Sequence, residues 1–380
     1  MKILIASDKF KTTLSSREVN SALTEGLRLA CPEAEITQLV LSDGGEGFIE
    51  ALEQAEELRR QAVTLPGPQG NPVQGYLGIS KKHRRIYIES CHATGFHLVP
   101  AKKLNPLRAS SEGLADLIRA ALSQRPTEIF IGLGSSATCD AGLPVAENFG
   151  YRFYDLRGNL LEGKPGELSV IARIEKPAEI QALLKGTKIY AVADVTNPPA
   201  GPAGGVRIYT PQKGASPKEV NLLAKGMDHL VSVMEHESGK KLKKLEGGSA
   251  AGCLALGLHY FFGASVIQGA DFFFQKLDLA RRIRNTDIVI TGEGSFDDQS
   301  FDGKITGRMV EHAYRCGKTV FLVTGKKKVP STVRRMVKNL FSVEESIESR
   351  SVRNVKESSA ALRILGERIG HLLLAPALHH

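Results

Sequence analysis

A short apolar run, a polar or glycine-rich loop and then a helix-spaced stretch follow one another repeatedly along this chain. That alternation restricts the fold more than any other feature. Residues 2–6 form the first run and lead into Ser7, Asp8, Lys9, Phe10, Lys11, Thr12 and Thr13. Ser15 with Glu18 three residues later is a capping box, in which each residue satisfies an amide the other leaves open. Val19, Ala22, Leu23, Gly26, Leu27 and Ala30 then recur at helical spacing, which predicts a helix with one face against a sheet. Residues 36–41 run into Ser42, Asp43, Gly44, Gly45, Glu46 and Gly47, and residues 128–131 run into the small-residue stretch 132–142. Residues 188–193 lead to Asp194, 287–291 to a glycine-rich acidic loop, and 319–323 to Thr324 and Gly325. Strands alternating with helices predict a parallel sheet in an α/β fold. The polar loops fall at the carboxyl ends of the strands, the edge where open α/β sheets bind ligands. Capping alone explains Gly, Ser and Asp in one such loop; five with charged residues at one edge predict a site.

Residues 66–72, PGPQGNP, read as a turn-rich linker, and residues 73–89 alternate in the manner of antiparallel strands. Residues 246–252, EGGSAAG, precede a small-residue helix. These breaks predict a parallel-sheet, Rossmann- or flavodoxin-like domain from residues 1–70 and 255–380, with a second, mixed α/β domain, 71–254, inserted into it. The 380 residues are enough for this.

Composition excludes several classes. Hydrophobic residues make up 42% and charged residues 24%, as in soluble globular proteins. No apolar run reaches the length of a membrane span, and the opening MKILIAS meets Asp8 too soon for an export signal. The five cysteines, Cys31, Cys91, Cys139, Cys253 and Cys316, include no C-x-x-C pair, which points to a reducing cytoplasm. A net charge of +9 suits nucleic acid or a basic surface that draws in anionic substrates. The basic clusters at 81–85, 240–244 and 326–328 are not interleaved with aromatics, which favours the second and no nucleic-acid partner.

The stretch ITGEGSFDDQSFDGKITGR, 290–308, holds four glycines, four carboxylates and a lysine. The spacing G-x-x-x-x-G-K-[ST] is absent, yet the mixture suits phosphate. Gly292 and Gly294 allow close backbone approach, Glu293 and Asp297 are hard oxygen donors for Mg²⁺, and Lys304 precedes a helix-like run whose amides suit an anion. The alternative is a solvated acidic turn with a helix cap. Gly134, Ser135, Ser136, Thr138 and Asp140 supply hydroxyls and amides for a phosphate or a carboxylate, or simply a tight strand–helix junction. Ser136 lacks the G-x-S-x-G elbow of a hydrolase nucleophile. Asp8 and Lys9 at the first strand end could orient and neutralise a transferring group, or serve as a cap and a solvated lysine. Asp43, Glu46 and Asp194 carry the same two readings. His92 and His97 lack the helical spacing of a zinc pair, and no G-x-G-x-x-G follows the first strand.

Five segments together resemble the bacterial glycerate kinase family: SDKFKTTLSSREV (7–19), LSDGGEGFIEAL (41–52), GLGSSATCDAG (132–142), ADVTNPPAGPAGGVRIYTPQKGAS (193–216) and ITGEGSFDDQSFDGK (290–304). The family's serine loop is close to G-I-G-G-S-A-T-N-D-G-G; here Ser135, Cys139 and Ala141 replace Gly, Asn and Gly. The resemblance implies two α/β domains, the second inserted into the first, with the active site in the cleft between them. It implies ATP as cosubstrate, Mg²⁺, and phosphorylation of D-glycerate, with 2-phosphoglycerate favoured over 3-phosphoglycerate, in glycerate, glyoxylate or sugar-acid catabolism. On this basis Asp194 is the candidate base, with Asp43 behind it. Asp8 joins them in the catalytic set. Lys9 and Lys304 neutralise phosphate or carboxylate charge, and Glu293 with Asp297 holds Mg²⁺. Ser135, Ser136, Thr138, Asp140, Glu46, Asn197, Gly292, Gly294 and Gln299 complete the substrate and nucleotide contacts. The expected form is a cytoplasmic monomer or homodimer with small-molecule partners. The alternatives are a kinase for a related hydroxy acid and a non-catalytic regulator that binds an anionic metabolite.

Overall fold

A computed structural model describes residues 1–10, 13–297, 300–301, 304–326, 330–346 and 355–374. In chain order the first strands are β1 (Lys2–Ile5), β2 (Glu35–Gln38), β3 (Arg59–Pro66), β4 (Pro72–Ser80) and β5 (Arg85–Glu89). Next come β6 (Glu128–Leu133), β7 (Arg152–Tyr154), β8 (Leu160–Leu161), β9 (Arg173–Glu175) and β10 (Lys188–Ala193). The last are β11 (Ser265–Gln268), β12 (Ile288–Glu293), β13 (Thr319–Thr324) and β14 (Asn339–Ser342). The chain divides into two compact units, Met1–Asp43 with Glu50–Ala55 and Ala270–His380, and Gly44–Ile49 with Glu56–Gly269.

The first unit carries a five-stranded sheet in the order β14-β13-β12-β1-β2, parallel at every pairing. β12, IVITGE, begins with three apolar residues and is buried along its whole length, because both faces are covered. The helix Ser16–Ala30 has its capping box as the sequence predicts, and Val19, Ala22, Leu23 and Leu27 are buried in one core with Ile3, Ile5, Ile288 and Ile290. Gly26 does something else. A Cβ there would lie 1.8 Å from the Arg363 carbonyl oxygen, and one at Gly366 would lie 2.2 Å from the Leu23 carbonyl oxygen. The helix Val355–Leu374 therefore approaches Ser16–Ala30 backbone to backbone, which only glycine allows.

The second unit holds a six-stranded sheet in the order β11-β10-β6-β5-β4-β3 and a small sheet β8-β7-β9. β3, β4 and β5 pair antiparallel, whereas β5, β6, β10 and β11 pair parallel. The antiparallel strands expected over 73–89 are β4 and β5. Because β3 pairs with β4 and β11 with β10, this sheet reaches past the expected boundaries at 70 and 255 in both directions. β3, RRQAVTLP, exposes most of one side, so its sequence looks like a polar approach to the linker. β6 and β10 are neighbours running in one direction, so Leu133 and Ala193 pair at one sheet edge. The loops that follow them are adjacent for that reason.

Candidate active site

In the five-stranded sheet the chain steps from β1 outward to β2 and from β12 outward through β13 to β14 on the opposite side. The order thus reverses at the β1–β12 pair, the point where open α/β sheets leave a crevice for ligands. Asp8 follows β1, Asp43 follows β2 and Glu293 ends β12. The Asp8 amide donates to the Gly292 carbonyl at 2.8 Å. The helix Ser16–Ala30 ties the neighbouring loops down. Asn20 accepts from the Ser7 amide at 2.9 Å and donates to the Leu39 carbonyl at 2.7 Å. The Ser16 hydroxyl donates to the Ser7 carbonyl at 2.6 Å and accepts from the Leu41 amide at 2.9 Å. One helical turn therefore sets the segments that carry Asp8 and Asp43.

The three carboxylates are buried, Asp8 and Glu293 at 5% exposure each. Burial first, then Asp43 and Glu293, push the Asp8 carboxyl up to about 7 against the pull of Lys9. Burial also raises Glu293; Lys304 opposes this and Asp43 adds to it. Lys304 Nζ lies 3.3 Å from Glu293 Oε2 and 3.9 Å from Asp297 Oδ1. Burial alone would lower the Lys304 ammonium, but Glu293, Asp297 and Asp43 outweigh it and raise it. Glu293 Oε1 is buried with no hydrogen-bond partner among the described residues.

These residues fit a divalent cation. No group of three or more His, Cys, Asp or Glu stands ready to hold a metal among the described residues, but Mg²⁺ takes only one or two protein carboxylates and fills the rest with water and phosphate. The unpartnered Glu293 oxygen and the negative charge crowded around Asp8 are what such an ion would relieve. Asp297, expected beside Glu293 as a ligand, is instead exposed and faces Lys304. Gly292 is buried within β12, where a Cβ would lie 1.9 Å from the Val323 carbonyl oxygen. Strand packing, not ligand contact, demands glycine there. Gly294 is half-buried, and its carbonyl oxygen would lie 2.4 Å from a Cβ on Gly325. Gln299 lies outside the described residues.

The second unit has its own strand-end cluster. The Glu89 carboxylate, at the end of β5, accepts the Gly47 and Ile49 amides at 2.8 and 3.2 Å. It thereby holds loop 44–47, in which Glu46 is exposed. Gly44 has φ 114°, and a Cβ there would lie 2.8 Å from the Val192 carbonyl oxygen. Asp194 follows β10 and is half-buried, and its Oδ2 lies only 2.6 Å from where a Cβ on Gly134 would be. The Ser136 and Thr138 hydroxyls are 2.8 Å apart, and the Thr138 amide donates to Ser136 Oγ at 3.1 Å. Both residues are buried, so these hydroxyls shape the loop. Asp140 is also turned inward: Oδ2 accepts the Ser111 amide at 2.7 Å and Oδ1 the Gly142 amide at 3.0 Å. Asp140 therefore closes the loop and is not the ligand contact the sequence suggested. Asn197 accepts from the Tyr209 hydroxyl at 2.7 Å and donates to the Ala203 carbonyl at 3.2 Å, so it too is engaged internally. Burial, with Asp194 second, raises Tyr209 to about 12.

Ser135 and Ala141 have φ of 51° and 52°, in the left-handed region that suits glycine. They are the positions where the resembled motif has glycine. Sequence reasoning passed over Lys213, Glu89, Ser16 and Asn20. Only Lys213 and Ser16 lie inside the quoted segments, and nothing about them as single residues announces that they are buried.

Parallel strands with carboxylates, lysines and glycines at their carboxyl ends define a nucleotide- or phosphate-handling α/β enzyme. The family model described as "Glycerate kinase family" matches residues 3–374. The chain belongs to the glycerate kinase family, phosphotransferases that use an alcohol group as acceptor. It is 35% identical over 304 residues to a glycerate kinase of Bacillus subtilis (strain 168), covering 80% of this chain and 79% of that one. It is 35% identical over 325 residues to a glycerate 2-kinase of Escherichia coli (strain K12), covering 86% and 85%. A crystal structure from Salmonella typhimurium LT2, described as a "putative glycerate kinase 2", matches 99% of this chain and 98% of that one, with a TM-score of 0.77 and 32% identity. Among the described residues, no helix is long and apolar enough to cross a membrane.

Proposed function

We propose that the chain transfers the γ-phosphoryl group of ATP to a hydroxyl of D-glycerate, with 2-phosphoglycerate as product. The observation that carries this reading is the cluster of Asp8, Asp43, Glu293 and Lys304 at the strand-order reversal of the five-stranded sheet. Phosphoryl transfer asks chiefly for positioning and for opposite charge along the phosphate oxygens, and this cluster supplies both signs. Glu293 and Asp8 are the residues that would hold Mg²⁺; when bound, the ion neutralises phosphate charge that develops during transfer. Lys304 and Lys9 offer ammonium groups to phosphate oxygens. Asp297, exposed beside Lys304, orients that lysine. In the second unit, Asp194 is the candidate acceptor of the glycerate hydroxyl proton, since it stands half-buried at a strand end beside small residues. Loop 134–140 shapes the surface next to it. The relatives named glycerate kinase and glycerate 2-kinase support the choice of acceptor.

The test is a coupled ADP-release assay with D- and L-glycerate, with and without Mg²⁺, followed by NMR identification of the product. Mg²⁺-dependent ADP release with D-glycerate and a 2-phosphoglycerate spectrum are expected. ADP release with neither enantiomer would remove the reading.

A further inference from the structure

Lys213 is a charged group that none of these roles uses. It closes the turn Pro211–Lys213, is 4% exposed, and donates from Nζ to the Thr138 carbonyl at 2.7 Å. An ammonium taken out of water is unfavourable unless other groups compensate it. A side chain needed only for packing would be apolar. The same carbonyl is pressed from another side. Ala251, Gly252 and Cys253 all have left-handed φ, at 52°, 71° and 66°, and a Cβ on Gly252 would lie 2.0 Å from Thr138 O. Gly252 O also accepts the Ala141 amide at 3.2 Å. Strained backbone and a buried cation therefore converge on one loop, and such strain persists only where the surroundings hold it.

The titratable groups facing Lys213 are Cys139, Cys253, Asp194 and Asp140, and burial outweighs them to lower its ammonium below the ordinary 10.5. Burial raises both thiols, so they stay uncharged near neutrality; it raises Asp140 too, and the carboxylates are the groups whose negative charge Lys213 faces. Asp140 is already held by two amides. Asp194 also faces Tyr209.

We infer that Lys213 is a positioning residue of the candidate active site, fixing the hydroxyl loop through Thr138 and placing a positive charge within electrostatic reach of Asp194. This rests on the reading of Asp194 as the base. The tests are Lys213→Met, which removes charge and donor, and Lys213→Gln, which keeps a donor for the carbonyl. In Lys213→Met, kcat for ADP release falls about tenfold or more. The acidic limb of its pH–rate profile moves up by about one unit, because a carboxylate deprived of a nearby cation keeps its proton to higher pH. Lys213→Gln recovers thermal stability and keeps the moved limb. If both variants show the wild-type limb and lose only stability, Lys213 is structural and the inference is wrong.

A second measurement uses the wild-type chain with ¹³C-carboxyl aspartate, the Asp194 resonance being identified by its loss in Asp194→Asn. It should show a step below pH 10.5, where Lys213 releases its proton, separate from Tyr209 near 12. A resonance without that step overturns the inference even if neither variant folds. No turnover is needed, so a wild-type chain that releases no ADP would sink the kinase reading while this titration still decides Lys213.

Discussion

Asp8 shows how burial lets a single side chain oppose folding above neutral pH. Its carboxyl, at about 7 in the folded chain against an ordinary 3.8, holds its proton more tightly folded than unfolded. Its contribution to stability is therefore complete below about pH 4 and is lost as pH rises through 7. Each unit corresponds to about 1.4 kcal/mol, so the loss is on the order of a few kcal/mol. Urea titrations in chelator should show Asp8→Asn nearly equal to wild type at about pH 4 and more stable by roughly 2–4 kcal/mol at about pH 8. The same substitution should lower ADP release by about a hundredfold or more if Asp8 holds the metal as proposed, because it removes a charged oxygen donor. A constant stability difference across that range would show that Asp8 carries no such strain. At Asp194, substitution by Asn should abolish ADP release and leave the melting temperature within about 2 °C, since the side chain is half-buried at a loop. Both aspartates were legible in the sequence as polar residues just past apolar runs. Lys213 was not, since TPQKGAS reads as an ordinary turn and burial is decided by residues far along the chain.

Among the elements, the contact of helices Ser16–Ala30 and Val355–Leu374 depends on missing side chains. Gly26→Ala places a methyl group 1.8 Å from the Arg363 carbonyl oxygen, so the helices must separate. Overpacking of this kind typically destabilises by about 1–3 kcal/mol, which a denaturant midpoint will read; wild-type stability would mean the crossing is looser than described. The loop 132–142 offers the reverse experiment. Ala141 has φ 52°, a conformation that disfavours an L side chain by about 1–2 kcal/mol. Ala141→Gly relieves that strain but adds freedom to the unfolded chain, about 0.4–1 kcal/mol in the other direction. A gain of up to about 1 kcal/mol in unfolding free energy is expected, and a clear loss would contradict the left-handed assignment. Helix Ser16–Ala30 was readable from its capping box and apolar spacing because those interactions are local. β3 was not assigned to its sheet, since its partner β4 lies beyond the PGPQGNP turn and only one of its own residues is fully buried.

On the scale of the whole molecule, ligand and stability should be linked. A ligand that binds the folded chain alone raises unfolding free energy by about 2.7 kcal/mol at a hundred times its dissociation constant. ATP with Mg²⁺ should therefore raise the melting temperature, chelator should cancel most of the rise, and Glu293→Gln should shrink it. An equal rise with and without Mg²⁺ would argue against Glu293 and Asp8 as the holders of the ion.

Alternating apolar runs and polar loops determined the α/β class, the parallel strands and the edge at which the polar loops gather, because side-chain periodicity follows from backbone geometry over a few residues. Five ordered segments carried the family resemblance. Only the tertiary structure decided that Asp8, Asp43 and Glu293 share one buried neighbourhood, that Asp140 turns inward, that Asn197 is engaged by Tyr209 and Ala203, and that Lys213 has left water. Those outcomes depend on strand order and on charges brought together from opposite ends of the chain, and no local pattern encodes the dielectric a side chain will meet.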